Sequence, residues 1–288
     1  MKLVRFGEIG REKPGLIDPD GALRSLEGIV YDIGGNILNA TMLAELGAQD
    51  HTSLPEVTGT PRFGPPVAHV GKMICVGLNY ADHAVESGMP VPDEPVLFMK
   101  ATTAIVGPND PVVIPAGSQK TDWEVELGVV IGDVSKRVSI DAALDSVAGY
   151  VVINDISERS FQLERGGQWV KGKSCDSFGP IGPWLVTRDD IPNPQSLSLW
   201  LEVDGHRYQD GNTCTMVFSV AYLVSYISQF MTLMPGDIIS TGTPPGVGLG
   251  QKPPIYLRPG AVMELGIAGL GRQRQQVVEQ NDFIRNQA

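Results

Sequence analysis

Asp122-Trp123-Glu124-Val125-Glu126-Leu127-Gly128-Val129-Val130-Ile131-Gly132 begins by alternating polar and apolar residues and then runs apolar. The pattern reads as a β-strand. Side chains alternate between the faces of a strand, so Glu124 and Glu126 share one face. Val125, Leu127 and Val129 share the other, turned into a core. Two carboxylates about 7 Å apart along one face repel each other unless a cation lies between them. A divalent metal ion answers that need. So does water, if the strand is amphipathic and both glutamates are exposed; the strand alone leaves both readings open.

Downstream, Gly149-Tyr150-Val151-Val152-Ile153-Asn154 is a near-continuous apolar run, the mark of a strand buried on both faces. Asp155 ends it. A carboxylate there needs a partner or a metal, or it caps the turn Ile156-Ser157-Glu158. Glu124, Glu126 and Asp155 together form an oxygen set suited to a hard dication such as Mg²⁺ or Mn²⁺.

Upstream, Lys72–Gly77 reads as a buried strand and residues 79–88 as a short helix, with Asn79 as its N-cap and Gly88 as its stop. His83 and Glu86 then share a face. A carboxylate beside an imidazole fixes its tautomer and raises its basicity, as a general base requires; an incidental pair on a solvated helix is the alternative. Lys171 and Lys173 lie in a glycine-containing loop, where they offset the carboxylates, bind an anionic substrate or stand in solvent. Arg159 and Gln162 follow Asp155 closely and reach a substrate carboxylate, or form a surface turn. The loop Gly242-Thr243-Pro244-Pro245-Gly246-Val247-Gly248 offers backbone N–H groups and, with Thr241, two hydroxyls. It lacks the Gly-Lys-Ser/Thr ending of a phosphate-binding loop, and neither GxSxG nor HExxH occurs. His51, His69 and His206 have no comparable neighbours and read as surface or packing residues.

The chain of 288 residues carries a net charge of −11, which argues against a binder of nucleic-acid backbones. Cys75, Cys175 and Cys214 are widely spaced and form no CxxC, so they read as reduced thiols of a cytoplasmic protein. No apolar leader and no membrane-length run is present. Residues 1–65 read as a small N-terminal domain: a strand over 2–6, a hairpin over 15–24 around Asp18-Pro19-Asp20-Gly21, and a helix over 39–46. Thr60-Pro61-Arg62-Phe63-Gly64-Pro65-Pro66 is the joint. Residues 66–288 form the larger domain, with further strands over 96–99, 112–114, 197–203, 237–241 and 261–267, and helices over 140–147 and 219–231. Many strands and few helices predict a β-rich α+β fold, a barrel-like or sandwich roll.

Five motifs recur in a fixed order: Gly77-Leu78-Asn79-Tyr80-Ala81-Asp82-His83, Glu94-Pro95-Val96-Leu97-Phe98-Met99-Lys100, Glu124-Val125-Glu126-Leu127-Gly128, Asn154-Asp155, and Thr241 to Gly248. Over residues 70–267 this series resembles the fumarylacetoacetate hydrolase family, most of all bacterial members assigned as ureidoglycolate lyase or 2,4-diketo-3-deoxy-sugar-acid hydrolase. The resemblance implies a mixed β-sandwich roll with a small N-terminal domain, in a homodimer. It implies Mg²⁺ or Mn²⁺ on Glu124, Glu126 and Asp155, and a His83–Glu86 dyad on a lid helix. Lys173 would be the active-site lysine, Arg159 and Gln162 would face the substrate, and Thr243 would lie in the substrate loop. Leu78 departs from the pattern, since several relatives carry Arg there, and this leaves the substrate open.

The implied reaction is metal-assisted hydrolysis of a carbon–carbon bond in a 2,4-dioxo acid, either an acylpyruvate or a 2,4-diketo-3-deoxy sugar acid. Ureidoglycolate cleavage and decarboxylation or tautomerisation of oxaloacetate use the same ligands. Two readings of other classes stand beside these: a glycosidase working with Glu124 and Glu126, and a module that binds an oxo acid without turning it over.

Overall fold

The computed structural model of the chain describes residues 1–86, 88 and 90–280; the side chains of 83–85 lie outside that description. In chain order the N-terminal part forms β1 (Lys2–Phe6), β2 (Lys13–Ile17), β3 (Leu23–Ser25) and α1 (Ala40–Gly47). There follow β4 (Met73–Gly77), α2 (Ala81–Glu86), β5 (Val96–Lys100), β6 (Ile105–Val106), β7 (Val112–Ile114), β8 (Thr121–Asp122) and β9 (Val125–Ile131). Next come α3 (Ile140–Ala143), β10 (Val147–Asn154), β11 (Ser157–Glu158), α4 (Arg159–Leu163), α5 (Val170–Lys173) and β12 (Gly179–Thr187). The chain ends with β13 (Ser198–Val203), β14 (His206–Asn212), α6 (Val220–Phe230), β15 (Ile238–Ser240), β16 (Val262–Ile267) and β17 (Gly271–Glu279).

These strands make two main sheets and no closed barrel. The larger runs β3-β2-β1-β12-β10-β9-β15-β4-β5, with β6 added beside β12; the smaller runs β14-β13-β16-β17-β7. β9 lies near the middle of the large sheet and is buried throughout. Val125, Leu127, Val129 and Ile131 face the smaller sheet and α6, where they join Leu201, Leu265, Leu223 and Ile227 in one core. Val130 points the other way, into a second core with Val151, Ile153, Leu3, Leu16 and Leu38. The expected alternation of β9 thus holds, with apolar packing on both faces beyond the glutamates.

The strand expected over 122–132 is broken at residues 123 and 124. Asp122 pairs with Ser157 on β11, and its carboxylate accepts the Trp123 amide at 2.8 Å. The Glu124 amide donates to the Asn154 side chain at 3.3 Å. Side chains therefore replace ladder bonds where the chain turns into the site.

The N-terminal strands continue the same sheet: β1 pairs antiparallel with β12, Lys2 opposite Val186. The hairpin of β2 and β3 forms as the turn residues imply, with Ile17 opposite Leu23, and Asn39 caps α1 by accepting from the Met42 amide. Asn79 does not serve as the expected helix cap. It is fully buried; its amide nitrogen donates to Phe218 O at 3.1 Å and Thr241 O at 2.7 Å, and its oxygen accepts from Phe218 N at 2.8 Å. Three backbone groups, two from the segment before α6 and one from the end of β15, are thereby tied to the end of β4. No helix among the described residues is long and apolar enough to cross a membrane.

Candidate active site

Register brings the three carboxylates together. In the antiparallel pairing of β9 with β10, Asn154 lies opposite Val125, so Asp155 falls opposite Glu124, and its amide donates to Glu124 O at 2.8 Å. Directly opposed residues share a face, which places Asp155 beside Glu124 and Glu126. One oxygen from each of the three lies within 4.8 Å of the others. All three residues are buried.

Buried charge of this density needs compensation, and three cations supply it. Lys173, at the end of α5, donates to Glu124 Oε2 and to Asp155 Oδ2, both at 2.6 Å. Arg159, opening α4, donates Nε to Asp122 at 2.8 Å, Nη2 to Glu124 Oε1 at 2.6 Å and Nη1 to Gln162 at 3.1 Å. Lys100, ending β5, is ion-paired with Asp155 and donates to Ile156 O at 3.0 Å. Burial pulls the Lys173 ammonium down, yet Asp155 and Glu124 outweigh it and hold the lysine above its ordinary range. Arg159 is held above its range in the same way by Glu124 and Asp122.

Glu126 has no cation of its own among its described hydrogen bonds. Its carboxylate accepts from Ser240 Oγ at 2.5 Å and Gly242 N at 2.9 Å. Burial, followed by the charges of Asp155 and Glu124, pushes its carboxyl up to about 8. Among the described residues, four carboxyl groups (Asp122, Glu124, Glu126 and Asp155) face three cations (Lys100, Arg159 and Lys173), so the cluster is balanced while Glu126 holds its proton and gains one excess negative charge when Glu126 ionises. An all-oxygen donor set with no thiolate or described imidazole fits a hard dication such as Mg²⁺ or Mn²⁺, whose charge would favour the ionised form of Glu126.

Other candidates take defined places. Glu86, on α2, accepts the Gly246 amide at 2.9 Å, which joins that helix to the Gly242–Gly248 loop. Gly246 has φ +106°, and a Cβ there would stand 1.9 Å from Tyr208 O, so only glycine fits. His83 belongs to α2, but its side chain lies outside the described residues. Thr243 lines the cavity; its hydroxyl donates to Val125 O at 2.9 Å and accepts from Gln209 at 2.7 Å. The Thr241 hydroxyl donates to Leu127 O at 2.9 Å. The two threonines therefore fasten the loop to β9. Lys171 stays outside the cluster and donates to Arg165 O in solvent. His51 contacts Leu46 O, and His206 packs on Tyr208.

Sequence reading missed Lys100, Asp122 and Ser240 as members of this arrangement, and offered the Gly242 amide only as one of its loop's donors, without Glu126 as its partner. Lys100 and Asp122 stand inside quoted motifs, and a buried lysine ending a strand was the available signal. Ser240 and the Gly242 amide become partners of Glu126 only through the pairing of β15 with β9.

Glu124, Glu126, Arg159, Gln162, Lys173 and Thr243 line the floor of a cavity of about 140 Å³. With this geometry established, comparison with known proteins is informative. A family model described as fumarylacetoacetate (FAA) hydrolase, C-terminal, matches residues 72–278. A protein of Burkholderia multivorans, provisionally named a hydrolase, is 63% identical over 276 residues, covering 96% of this chain and 98% of its own. The crystal structure of fumarylacetoacetate hydrolase from Exiguobacterium antarcticum matches with a TM-score of 0.86 at 36% identity, over 97% of this chain and 100% of that one. Maleylpyruvate hydrolase from Sphingobium sp. SYK-6, solved with manganese(II) and pyruvate, matches with a TM-score of 0.80 at 27% identity, over 97% and 99%. Solved neighbours from Mycobacterium species also carry isomerase names. The chain belongs to the fumarylacetoacetate hydrolase family.

Proposed function

We propose that this chain is a divalent-metal-dependent hydrolase that cleaves a carbon–carbon bond of a 2,4-dioxo acid. The observation that carries the reading is the buried triad Glu124, Glu126 and Asp155, whose two glutamates line a cavity together with Lys173 and Arg159. The family and the manganese–pyruvate complex of the maleylpyruvate hydrolase support it.

Glu124, Glu126 and Asp155 would hold Mg²⁺ or Mn²⁺. Such an ion, when bound, supplies Lewis-acid polarisation of the oxygens of a 2-oxo acid. Arg159 and Gln162 orient the acid end. His83, kept in tautomer by Glu86, takes a proton from water as the water oxygen bonds to the 4-oxo carbon. The C3–C4 bond then breaks and its electron pair passes to C3, which a proton completes. The products are a carboxylic acid and a 2-oxo acid. Lys173 steadies the negative charge that develops on oxygen, and α2, tied through Glu86 to the Gly246 amide, closes the site against bulk water.

Steady-state turnover of an acylpyruvate with product analysis tests this. The expected result is a carboxylic acid and pyruvate in equal amounts, abolished by EDTA, with kcat reduced at least about a hundredfold in His83→Ala. Turnover that survives EDTA excludes the metal role, and an isomer or CO₂ as product excludes hydrolysis in favour of isomerisation or decarboxylation at the same ligands.

A further inference from the structure

The cavity has two chemically unlike ends. Its floor carries Glu124, Glu126, Arg159, Gln162, Lys173 and Thr243. Leu78, Phe98 and Trp169 form its apolar end around Gly77, while Leu163, Val247 and Leu249 add apolar lining nearer the floor, where Asp122 accepts the Leu249 amide at 2.9 Å. We propose that this outer end is the seat of an uncharged, apolar acyl group. The substrates would then be acylpyruvates bearing aryl or alkyl groups, rather than ones bearing a second carboxylate or a polyhydroxylated chain. This inference rests on reading the carboxylate floor as the place of the 2-oxo acid end.

The wall is fixed in shape. The rings of Phe98 and Trp169 meet edge to face, centroids 5.4 Å apart at 61°. A Cβ at Gly77 would stand 2.5 Å from the Trp169 ring, so the indole lies directly on the end of β4. Leu78 follows in the left-handed region at φ +55°, which turns the chain at the end of β4 into the cavity wall. Lys173 marks the border between the ends, its ammonium 5.0 Å from the Phe98 ring centroid.

Charge decides the selectivity. Among the described residues lining the cavity, the cations are Arg159 and Lys173, and both face the floor. All three side-chain nitrogens of Arg159 are hydrogen-bonded there. Lys173 is held between Glu124 and Asp155. A second carboxylate there would lose water against leucine and indole, with no cation among the described lining residues left free of the carboxylate cluster to receive it. Sugar hydroxyls would lose water without new partners. An aryl or alkyl group would gain by burying its own apolar surface.

The test compares benzoylpyruvate and hexanoylpyruvate with a carboxyacylpyruvate of similar length, on the full-length Mn²⁺-loaded protein. The expected kcat/KM favours the apolar acyl groups at least about tenfold. Leu78→Arg, or Leu163→Lys at a half-exposed lining position, narrows that ratio at least about tenfold, mainly through KM. Equal or reversed preference in the unaltered protein overturns the inference while leaving the hydrolase reading intact. A ground-state measurement covers the case in which no dioxo acid is turned over. Quenching of Trp169 fluorescence, identified by its loss in Trp169→Phe, is followed for a phenylalkyl 2-oxo acid and for a 2-oxo dicarboxylic acid. At least tenfold tighter binding of the phenylalkyl acid supports the apolar chamber even though the reaction is then wrong. Equal binding overturns the chamber.

Discussion

Glu126 is held by Ser240 and the Gly242 amide while Glu124 and Asp155 crowd it, and burial with those two charges pushes its carboxyl up from 4.5 to about 8. The fold favours the protonated form. Its contribution to stability is therefore full below about 4.5 and is lost as pH rises through about 8. For metal-free protein the melting temperature is expected to fall from about pH 4.5 to about pH 8, and Glu126→Gln, which cannot ionise, flattens that fall. A metal-free melting temperature that rises over this range, relative to Glu126→Gln, contradicts the assignment. The three acidic ligands were legible as residues because period-two alternation puts Glu124 and Glu126 on one face, and a carboxylate ending a buried strand is conspicuous. Their cationic partners were less so: Lys100 is 55 positions from Asp155 and Lys173 is 49 from Glu124, and no local spacing records such pairs.

At the scale of elements, β4, β9, β10, β13 and β15 declared themselves by apolar runs and alternation. β12 did not, although it lies in the large sheet between β1 and β10. Its sequence Gly-Pro-Ile-Gly-Pro-Trp-Leu-Val-Thr places two prolines where a central strand needs donors; the register shift opposite Tyr150 and Val152 accommodates the interruption. β17 was missed because two of its three buried positions, Gln273 and Gln275, are polar, Val277 being the third. They are buried because they hydrogen-bond inward, Gln273 donating to Val152 O at 2.8 Å and Gln275 accepting from the Asn154 side-chain amide nitrogen at 3.0 Å. Asn79 was misread for a related reason: a good helix cap and a good buried strut have the same chemistry, and only tertiary structure chooses. Because Asn79 satisfies three backbone groups from two distant segments, Asn79→Ala is expected to cost about 2–4 kcal/mol, read as a lowered urea midpoint at unchanged m. A loss below about 0.5 kcal/mol would mean that water replaces the amide without strain.

For the whole molecule, the acidic total and the strand-rich composition were sufficient to indicate class, but the path of the N-terminal part was not. Residues 1–65 read as a separate unit because a Pro/Gly-rich joint follows them. In the structure β1 extends the large sheet at β12, and Leu3, Leu16, Leu26, Ile33 and Leu38 share a core with Met73, Val130, Val151 and Ile238. Salt bridges cross the joint as well, with Arg62 bound to both Glu12 and Asp110. Removing residues 1–65 is therefore expected to uncover the β12 edge and half of that core, giving aggregated or molten protein. The intact chain is expected to unfold in a single calorimetric transition. A truncated chain that stays monodisperse with native near-ultraviolet dichroism would show instead that the larger part folds alone.

The metal triad is the centre of this account, and Mn²⁺ binding to metal-stripped protein tests it most directly, by titration calorimetry of the unaltered chain beside Asp155→Asn. The account predicts one ion per chain, with affinity at least about a hundredfold weaker in Asp155→Asn. Absence of stoichiometric binding, or equal affinity in both proteins, would contradict it.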